Sequence, residues 1–439
     1  MTIGFVVSFF DFRNDVRRVI QELLREHEVV IFYREGHQEA IERHPIAGCT
    51  YRPIKERTGD WRSKLAKARY RIFRQLPASR NNFYLMEEFK ARLLPAGPRR
   101  YRRRAMLSLM RRLPKNYSYD AFLRDLPFSG QTDLTGVDAF VCFSEIADDE
   151  LFARLLAEHR PVVTYVYSWD HPCKQTAFTA RSRYLVWNSG IAEDLRNLQG
   201  IPPAQVEIQG ASQFAYIAEY RKRVKNEALP RTFPFDYLYV GCAVGIEQLA
   251  HDEIAIIERL AQLALEAVPD LRVVVRPYPL LTDWNIYEAL HRLPNVVFDD
   301  GFRQPDLAQA EDAIYEKLEK MDNATAFFHL GTTMGLECCF LNTPSFILDL
   351  TEPPGRSPIH LYHFVHQYQN QKYLIDAAPE NHIDSLAKLR SVLAELATGK
   401  TATFRKLNRR VSEENPLLDF TDYATALVER LAAAPQSAV

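Results

Sequence analysis

Hydrophobic residues near the start of the chain form a strand, a helix and a second strand in order. Residues 3–10, IGFVVSFF, are continuously apolar, as is typical of a parallel strand covered on both faces. Residues 15–26 carry apolar positions at helical spacing, and residues 28–33 are apolar again. The pattern predicts a β-α-β unit. No G-x-G-x-x-G joins the first strand to the helix, so the dinucleotide-binding fingerprint is absent.

The same alternation continues in two blocks separated by chain breakers between residues 226 and 234. Further strands are predicted at residues 138–144, 161–168, 183–188, 205–210, 237–241, 271–279, 295–300, 324–330 and 344–350, with helices between them. Short strands that alternate with helices form parallel sheets. The predicted fold class is therefore α/β, with two Rossmann-like, doubly wound parallel-sheet domains that face a cleft.

The pattern also sets the expected domain boundaries. We assign residues 1–230 to an N-terminal domain and residues 231–400 to a C-terminal domain. Residues 401–439 form a helical tail whose final helix, near residues 422–432, can cross back onto the first domain.

The composition fits globular domains, but its charge balance is an average over unequal segments. The 439 residues are 47% hydrophobic and 25% charged, which excludes disordered and fibrous classes. With 55 basic and 56 acidic residues the net charge is -1, which argues against a dedicated nucleic-acid binder. Residues 52–112, however, contain 19 Lys or Arg and four acidic residues. We therefore predict a basic helical insertion in the first domain, at about residues 52–125.

The densest basic stretch, residues 99–115, has two interpretations. Its apolar positions (Ala105, Met106, Leu109, Met110 and Leu113) can form one face of a short helix that is otherwise solvated. Alternatively, the stretch docks onto an anionic surface, either a lipid leaflet or a phosphorylated acceptor. The candidate residues for this membrane or acceptor dock are Arg99, Arg100, Arg102, Arg103 and Arg104.

No segment predicts secretion, membrane spanning or a structural metal site. The first apolar run has no basic leader, and nowhere do eighteen apolar residues follow one another without a charge. The six cysteines form no C-x-x-C pair and no Cys/His cluster with zinc-ligand spacing. We expect a cytoplasmic protein that is independent of metal.

Ligands of open parallel sheets bind beyond the carboxyl ends of the strands, so the loops there are candidate sites. Residues 331–337, GTTMGLE, place Thr332, Thr333 and Gly335 at a predicted helix N-terminus. Free backbone N–H groups and hydroxyls there suit a phosphate, and Glu337 suits the hydroxyls of a ribose or sugar. The alternative is an ordinary threonine helix cap.

Two further loops of the second domain are candidates for the same phosphate-binding site. Arg276 follows an apolar strand in VVVRPYP, beside Tyr278, and suits either a bidentate contact to diphosphate or a salt bridge to a local carboxylate. Gly241, in VGCAVG, belongs either to a tight turn or to a close approach of a nucleotide. The sequence FDDG, residues 298–301, is interpreted as a turn.

In the first domain, Asp170 and His171 follow a predicted strand in YSWDHPCKQ. A carboxylate there suits a general base, a nucleophile or a stabiliser of an oxocarbenium-like centre. Asp11, at the end of the first strand, is the rival candidate. Either aspartate is equally well explained as a helix cap.

Taken in order, these motifs resemble a superfamily of bacterial envelope enzymes with the GT-B fold. It includes surface-polysaccharide glycosyltransferases and CDP-glycerol glycerophosphotransferase-like proteins. The matching residues, within about residues 162–350, are Ser168-Trp169-Asp170, the stretch at residues 185–214, Val240-Gly241, Arg276-Pro277-Tyr278-Pro279 and residues 332–337. Tyr278 replaces the histidine of the usual Arg-Pro-His-Pro pattern and cannot supply positive charge at neutral pH.

The resemblance implies a metal-independent glycosyltransferase that takes a sugar from a nucleotide donor as substrate, with no further cofactor. Its acceptor would be a cell-surface polysaccharide or a lipid-linked precursor, with no nucleic-acid partner. The protein would be cytoplasmic or peripheral on the inner face of the cell membrane. A CDP-linked polyol-phosphate transferase, a sugar-nucleotide 2-epimerase and a non-catalytic sugar-nucleotide-binding subunit remain as alternatives, because one fold serves all four.

Overall fold

A computed structural model of the protein divides the chain into two compact units. The first unit contains residues 1–215 and 416–439, and the second contains residues 216–415. The structure describes residues 1–6, 14–43, 45–55, 60–74, 90–92, 94–110, 112, 117–144, 148–174, 178–226, 231–245, 247–278, 281, 283–299, 310–341, 343–350 and 371–433.

The first unit is built on a seven-stranded parallel sheet. Its strands are β1 (Thr2–Val6), β2 (Glu28–Arg34), β3 (Thr50–Ile54), β4 (Ala139–Phe143), β5 (Val162–Tyr165), β6 (Arg183–Val186) and β7 (Val206–Ile208). Its helices are α1 (Asn14–Leu23), α2 (Gln38–Arg43), α3 (Trp61–Arg74), α4 (Pro98–Met110), α5 (Tyr119–Asp125), α6 (Asp149–Ala157), α7 (His171–Lys174), α8 (Ser189–Gln199) and, from the end of the chain, α16 (Phe420–Ala432).

The second unit is built on a six-stranded parallel sheet. Its strands are β8 (Tyr237–Gly241), β9 (Arg272–Arg276), β10 (Val296–Phe298), β11 (Ala326–His329), β12 (Ser345–Leu348) and β13 (His382–Ile383). Its helices are α9 (Ala215–Asn226), which begins at the boundary, α10 (Glu247–Ala267), α11 (Glu311–Asp322), α12 (Met334–Leu341), α13 (Lys372–Ala377), α14 (Leu386–Ala397) and α15 (Lys406–Glu414).

Both sheets are doubly wound, which confirms the predicted fold class of two Rossmann-like parallel sheets. The first has the order β3-β2-β1-β4-β5-β6-β7 and the second the order β10-β9-β8-β11-β12-β13. The strand order therefore reverses between β1 and β4 in one unit and between β8 and β11 in the other. Such a switch point opens a crevice at the carboxyl ends of the strands.

The sequence analysis does not predict the two edge strands β3 and β13. Arg52 and Pro53 obscure the apolar pattern of β3, and proline is tolerated there because an edge strand leaves one side of its backbone unpaired. Only two residues long, β13 gives no periodic signal.

The basic segment is more than a solvated insertion, since part of it completes the core of the first unit. Ile54 at the end of β3 is 3% exposed, and Tyr70 of α3 stacks on Phe122 of α5 with ring centroids 4.4 Å apart. Ile54, Tyr70 and Phe122 belong to one cluster of buried residues that also includes Val6 of β1. The insertion predicted at residues 52–125 therefore begins inside the sheet.

The apolar face predicted for the basic helix α4 is only partly correct. Leu107 is buried, whereas Ala105 and Leu109 are exposed and Met110 is only partly buried. Leu113 lies outside the described residues. The helix thus packs on the protein through Leu107, with Met106 and Met110 partly buried, while Ala105 and Leu109 of the predicted face remain exposed.

The boundary between the units falls earlier than the chain breakers suggest. Tyrosines tie α9 to α11, because the Tyr220 hydroxyl donates to Asp322 over 3.2 Å and the Tyr315 hydroxyl donates to Glu219 over 2.5 Å. At the other boundary, α15 stays with the second unit because the Asn408 amide donates to the Thr343 carbonyl over 2.9 Å. The tail beyond the second unit therefore begins at residue 416 rather than 401.

The last helix, α16, packs on α1 and on the sheet of the first unit. The Arg18 guanidinium lies 5.0 Å from the centre of the Phe420 ring, and Tyr423 meets Tyr165 edge to face. Arg430 and Arg183 both form ion pairs with Glu207 of β7. Through these contacts, residues near the end of the chain pack on residues of the first unit that are more than two hundred positions earlier in the sequence.

None of the helices in the described ranges combines the length and the apolar character needed to cross a membrane.

We predict that Leu427→Ala destabilises the first unit by about 2–4 kcal/mol, because Leu427 is 4% exposed and its removal leaves a cavity between α16 and α1. Urea unfolding followed by circular dichroism measures the change. The control is Thr425→Ala, at an exposed position of the same helix. Equal stabilities of the two variants would show that α16 is not part of the folded core.

Candidate functional site

The carboxyl edge of the second sheet is shaped by a glycine at the switch point. Gly241 ends β8, and a Cβ atom at this position would lie 2.7 Å from Cζ of Phe327 and 3.4 Å from Sδ of Met334. The absence of a side chain therefore lets the first residue of α12 lie against the end of β8. The start of α12 is thereby placed at the switch point.

The loop before α12 presents two unused backbone donors. The Gly331 amide donates to Nδ1 of His329 over 3.0 Å, and the Gly335 amide donates to the Thr332 carbonyl over 3.0 Å. Among the residues that the structure describes, the amides of Thr332 and Thr333 have no acceptor. Both threonines are half-buried, whereas α12 from Gly335 onward is buried. Together with the helix dipole, these donors suit an anion.

His329 lies beneath this loop as a neutral imidazole. Its side chain is 0% exposed, and burial lowers the pKa of His329 to about 3. Because Nδ1 accepts from Gly331, the ring proton is on Nε2, which has no hydrogen-bond partner in the described structure. A Cβ atom on Gly335 would overlap the ring, so glycine is needed there to let α12 begin directly over the imidazole.

Glu337 lies in the first turn of α12 and is paired with a lysine. Its Oε2 accepts from Nζ of Lys317 over 2.7 Å, and both side chains are largely buried. The lysine leaves Oε1 without a bond to any described residue. This second oxygen can therefore accept from a ligand hydroxyl.

The turn after β8 already contains its own anion. Glu253 of α10 is 0% exposed, and its carboxylate accepts from the amides of Ala243, over 2.7 Å, and Val244, over 3.3 Å. Burial raises the pKa of Glu253 to about 7, although the two amide hydrogen bonds act in the opposite direction. These two donors of VGCAVG therefore satisfy an internal carboxylate, which supports the tight-turn interpretation.

Tyr278 lies against the end of that turn. A Cβ atom on Gly245 would be 2.5 Å from Cε1 of Tyr278, so the ring packs flat against the glycine backbone. The Tyr287 hydroxyl is 3.4 Å from the Tyr278 amide. The motifs VGCAVG and RPYP are therefore in contact with each other. Such a contact is necessary if both motifs belong to one binding site.

Arg276 has the local carboxylate partner that the sequence analysis left as its alternative. Its Nη1 donates to Oδ2 of Asp299 over 2.7 Å, and Lys320 donates to Oδ1 of the same carboxylate over 2.7 Å. Burial acts to raise the pKa of Asp299, but Arg276 and Lys320 outweigh it and hold that pKa below its ordinary value. Asp299 belongs to FDDG, which the sequence analysis interprets only as a turn.

In the first unit, Asp170 and His171 lie at the carboxyl end of β5. The Asp170 carboxylate accepts from the Ser168 hydroxyl over 2.5 Å and is partly exposed. Nδ1 of His171 is 2.7 Å from Oγ of Ser144, which follows β4. Ser144 also accepts from the Tyr167 amide over 3.1 Å, so this hydroxyl links the ends of β4 and β5 to the imidazole. Ser144, which sequence reasoning missed, carries no motif signal.

Asp11 lies outside the described residues, so the rival base is not placed by the structure. Within the described ranges, no group of three or more His, Cys, Asp or Glu side chains has an arrangement that could hold a metal ion.

Comparisons with known proteins support the fold alone. No family model matches the chain, and no curated protein matches it. Among solved structures, a putative UDP-N-acetylglucosamine 2-epimerase from Listeria monocytogenes is 12% identical with a TM-score of 0.51, covering 98% of this chain and 96% of that chain. A UDP-GlcNAc 2-epimerase from Neisseria meningitidis, bound to UDP-GlcNAc, is 12% identical with a TM-score of 0.50, and the match covers 98% of this chain and 100% of that chain.

The apo form of a lipopolysaccharide outer core galactosyltransferase also matches, at 12% identity and a TM-score of 0.47, covering 98% of this chain and 100% of that chain. The two epimerase structures, with TM-scores of 0.51 and 0.50, share the two-sheet architecture described here. The chain has the GT-B fold, which confirms the expectation drawn from its motifs.

We predict that Glu253→Gln becomes more stable relative to wild type as the pH rises from about 5 to about 8. A carboxyl group whose pKa is about 7 in the folded state and near 4.5 when unfolded binds more protons in the native state between those values. Wild-type stability therefore falls across this window, by up to about 3 kcal/mol, and the amide cannot titrate. Urea unfolding at several pH values measures the difference.

The control for this experiment is Glu258→Gln, on the same helix and only partly buried. A Glu253→Gln difference that is constant with pH would show that the carboxylate is not held as described.

Proposed function

We propose that the chain is a GT-B glycosyltransferase that takes a sugar from a nucleotide donor. Its acceptor is a cell-surface polysaccharide or a lipid-linked precursor, and the reaction needs no metal. The observation that carries the proposal is that the amides of Thr332 and Thr333, before α12 and beside the switch point of the second sheet, have no acceptor in the described part of the chain.

The donor phosphate is the group that fits this position. Two backbone donors and the helix N-terminus favour a dianion or a diphosphate over a neutral ligand. The same helix offers the free oxygen of Glu337, which suits a ribose hydroxyl. Solved structures of the same fold include an epimerase bound to UDP-GlcNAc, which supports a nucleotide sugar as the ligand class.

Catalysis then depends on charge that develops on the departing nucleotide. Backbone amides and the α12 dipole stabilise that charge without reorganising, since they are fixed by the fold before the donor binds. Arg276 is not assigned a direct contact to phosphate, because Asp299 already holds its guanidinium.

Asp170 is the proposed general base for the acceptor hydroxyl. It is partly exposed and lies at the carboxyl end of β5, where a ligand of the first unit would bind. The Ser168 hydroxyl holds the carboxylate in one orientation. Such a base contributes about a hundredfold to ten-thousandfold to a proton transfer.

We predict that Thr333→Glu abolishes nucleotide binding while Thr333→Gln weakens it far less. A carboxylate at the start of α12 repels phosphate and occupies its donors, yet it stabilises the helix N-terminus, by about 0.3–1 kcal/mol. The melting temperature of the free Glu variant should therefore equal or exceed that of wild type. Thermal shifts with UDP-, GDP-, CMP- and CDP-linked donors measure the binding.

Loss of donor binding in the Glu variant alone supports the site. If both variants bind as wild type does, or if no donor stabilises the wild-type protein, the phosphate site at α12 is excluded.

We predict that Asp170→Asn lowers the rate of sugar transfer by about a hundredfold or more while the affinity for the donor nucleotide is unchanged, because the asparagine keeps the shape and loses the base. Release of the nucleotide from the donor in the presence of acceptor measures the rate. The control is Asp133→Asn, at an exposed position of the same unit. Unchanged turnover in Asp170→Asn would remove the aspartate from the mechanism.

The epimerase alternative predicts a different product from the same incubation. A transferase releases the nucleotide only when an acceptor takes the sugar, whereas an epimerase interconverts UDP-GlcNAc and its C2 epimer without one. Proton NMR of UDP-GlcNAc incubated with the protein distinguishes the two, and epimer formation without acceptor would overturn the transferase proposal.

A further inference from the structure

The helices α3 and α4 of the first unit carry most of the exposed large apolar side chains of the described chain. Such residues number seven, and four of them are on these two helices: Trp61 (67% exposed), Leu65 (50%), Tyr101 (70%) and Leu109 (64%). Exposed apolar side chains that are grouped, rather than scattered singly over a surface, mark interaction sites.

The exposed residues of α4 follow the helical repeat. Tyr101, Ala105 and Leu109 are spaced four residues apart, and all three are exposed. They therefore form one stripe on the outer side of the helix, while Leu107 holds the other side against the protein. The stripe is a second apolar face that nothing in the described structure covers.

Arginines flank that stripe. Arg99, Arg102 and Arg104 are exposed, and none of them forms an ion pair with a described residue. On α3, Trp61 and Leu65 are likewise one turn apart, beside exposed Arg62 and Lys64. Each helix thus combines an outward apolar stripe with uncompensated positive charge.

We propose that α4, together with the exposed stripe of α3, is a docking surface for an anionic lipid bilayer. Tryptophan, tyrosine and leucine partition into the interface between headgroups and acyl chains, and arginines beside them bind acidic headgroups. The surface belongs to the first unit alone and is independent of the nucleotide chemistry proposed for the second.

The chemistry favours lipid over the two other possible occupants. A nucleic acid would use the arginines and could stack on Trp61 and Tyr101, but it offers nothing to exposed Leu65 and Leu109. A second copy of the chain, bound through the same surface, would bring the same excess of positive charge to the contact, and the like charges would repel one another.

The test is cosedimentation of the full chain with vesicles of phosphatidylcholine containing about one third phosphatidylglycerol, against vesicles of phosphatidylcholine alone. We expect binding to the anionic vesicles only, weakened by salt. A variant with Arg99→Gln, Arg102→Gln and Arg104→Gln should bind about 100-fold more weakly, at roughly fivefold per arginine. The matched control removes three exposed arginines elsewhere: Arg43→Gln, Arg390→Gln and Arg410→Gln.

A second variant separates apolar insertion from charge. The double variant Tyr101→Ser with Leu109→Ser keeps every arginine. We expect it to bind the same vesicles at least tenfold more weakly, because it lacks the two apolar side chains that would become buried in the bilayer. The control is Ile208→Ser with Val224→Ser, which removes two exposed apolar residues outside the surface. In addition, the fluorescence of Trp61 should shift to shorter wavelength on binding, and the shift should be absent in Trp61→Phe.

Several results would overturn the proposal. These are failure to bind anionic vesicles, equal losses in the variants and their controls, and binding of single-stranded RNA in place of vesicles. A fourth result would assign the stripe to a second copy of the chain. In that case the wild type forms a dimer in solution and does not bind vesicles, and the double variant Tyr101→Ser with Leu109→Ser is a monomer.

Discussion

In the second unit, a buried carboxylate from within the chain accepts two backbone hydrogen bonds in the turn after β8. Glu253 takes the amides of Ala243 and Val244, at the cost of burying a charge whose pKa rises to about 7. Buried amides must find an acceptor, and here the acceptor is covalently part of the fold. Among the residues that the structure describes, the amides of Thr332 and Thr333 have no acceptor, and the start of α12 is therefore where we propose that an external anion binds.

The same rule explains why the cationic side chains nearby are not obvious phosphate ligands. Arg276 and Lys320 converge on Asp299, and Lys317 pairs with Glu337. Each buried cation is compensated by a carboxylate, as the desolvation of a charge requires. In the proposed site, the neutral backbone donors before α12 and the dipole of that helix would therefore provide the binding energy for a phosphate.

Much of the fold could be predicted from the sequence because its strands are apolar runs that alternate with amphipathic helices. β3 was missed because Arg52 and Pro53 interrupt its apolar pattern, and the boundary near residue 215 was missed because it depends on hydrogen bonds from Tyr220 and Tyr315 between distant segments. The buried side of α4 was predicted only in part, because apolar residues lie on more than one side of this helix and the sequence does not show which side packs on the protein. Leu107 is buried and Met106 and Met110 are partly buried, whereas Ala105 and Leu109 are exposed.

The candidate site was predictable only in part. The sequence singled out Gly241, Thr332, Thr333 and Gly335, because glycine and threonine directly after a strand are strong local signals. The partners Asp299, Glu253 and Ser144 were not found, because each is an ordinary polar residue whose role exists only through contacts across the sheet. The motifs predict where a ligand would bind, and the contacts of the described residues show which of the predicted donors already have an internal acceptor.

We propose that the amides of Thr332 and Thr333, which have no acceptor among the described residues, bind the phosphate of a nucleotide. A crystal structure of the chain with UDP tests it most directly. We predict an oxygen of the β-phosphate within hydrogen-bond distance, about 3 Å, of the amides of Thr332 and Thr333, with Glu253 still hydrogen-bonded to the amides of Ala243 and Val244. A phosphate bound instead at the turn after β8, with Glu253 displaced, would contradict it.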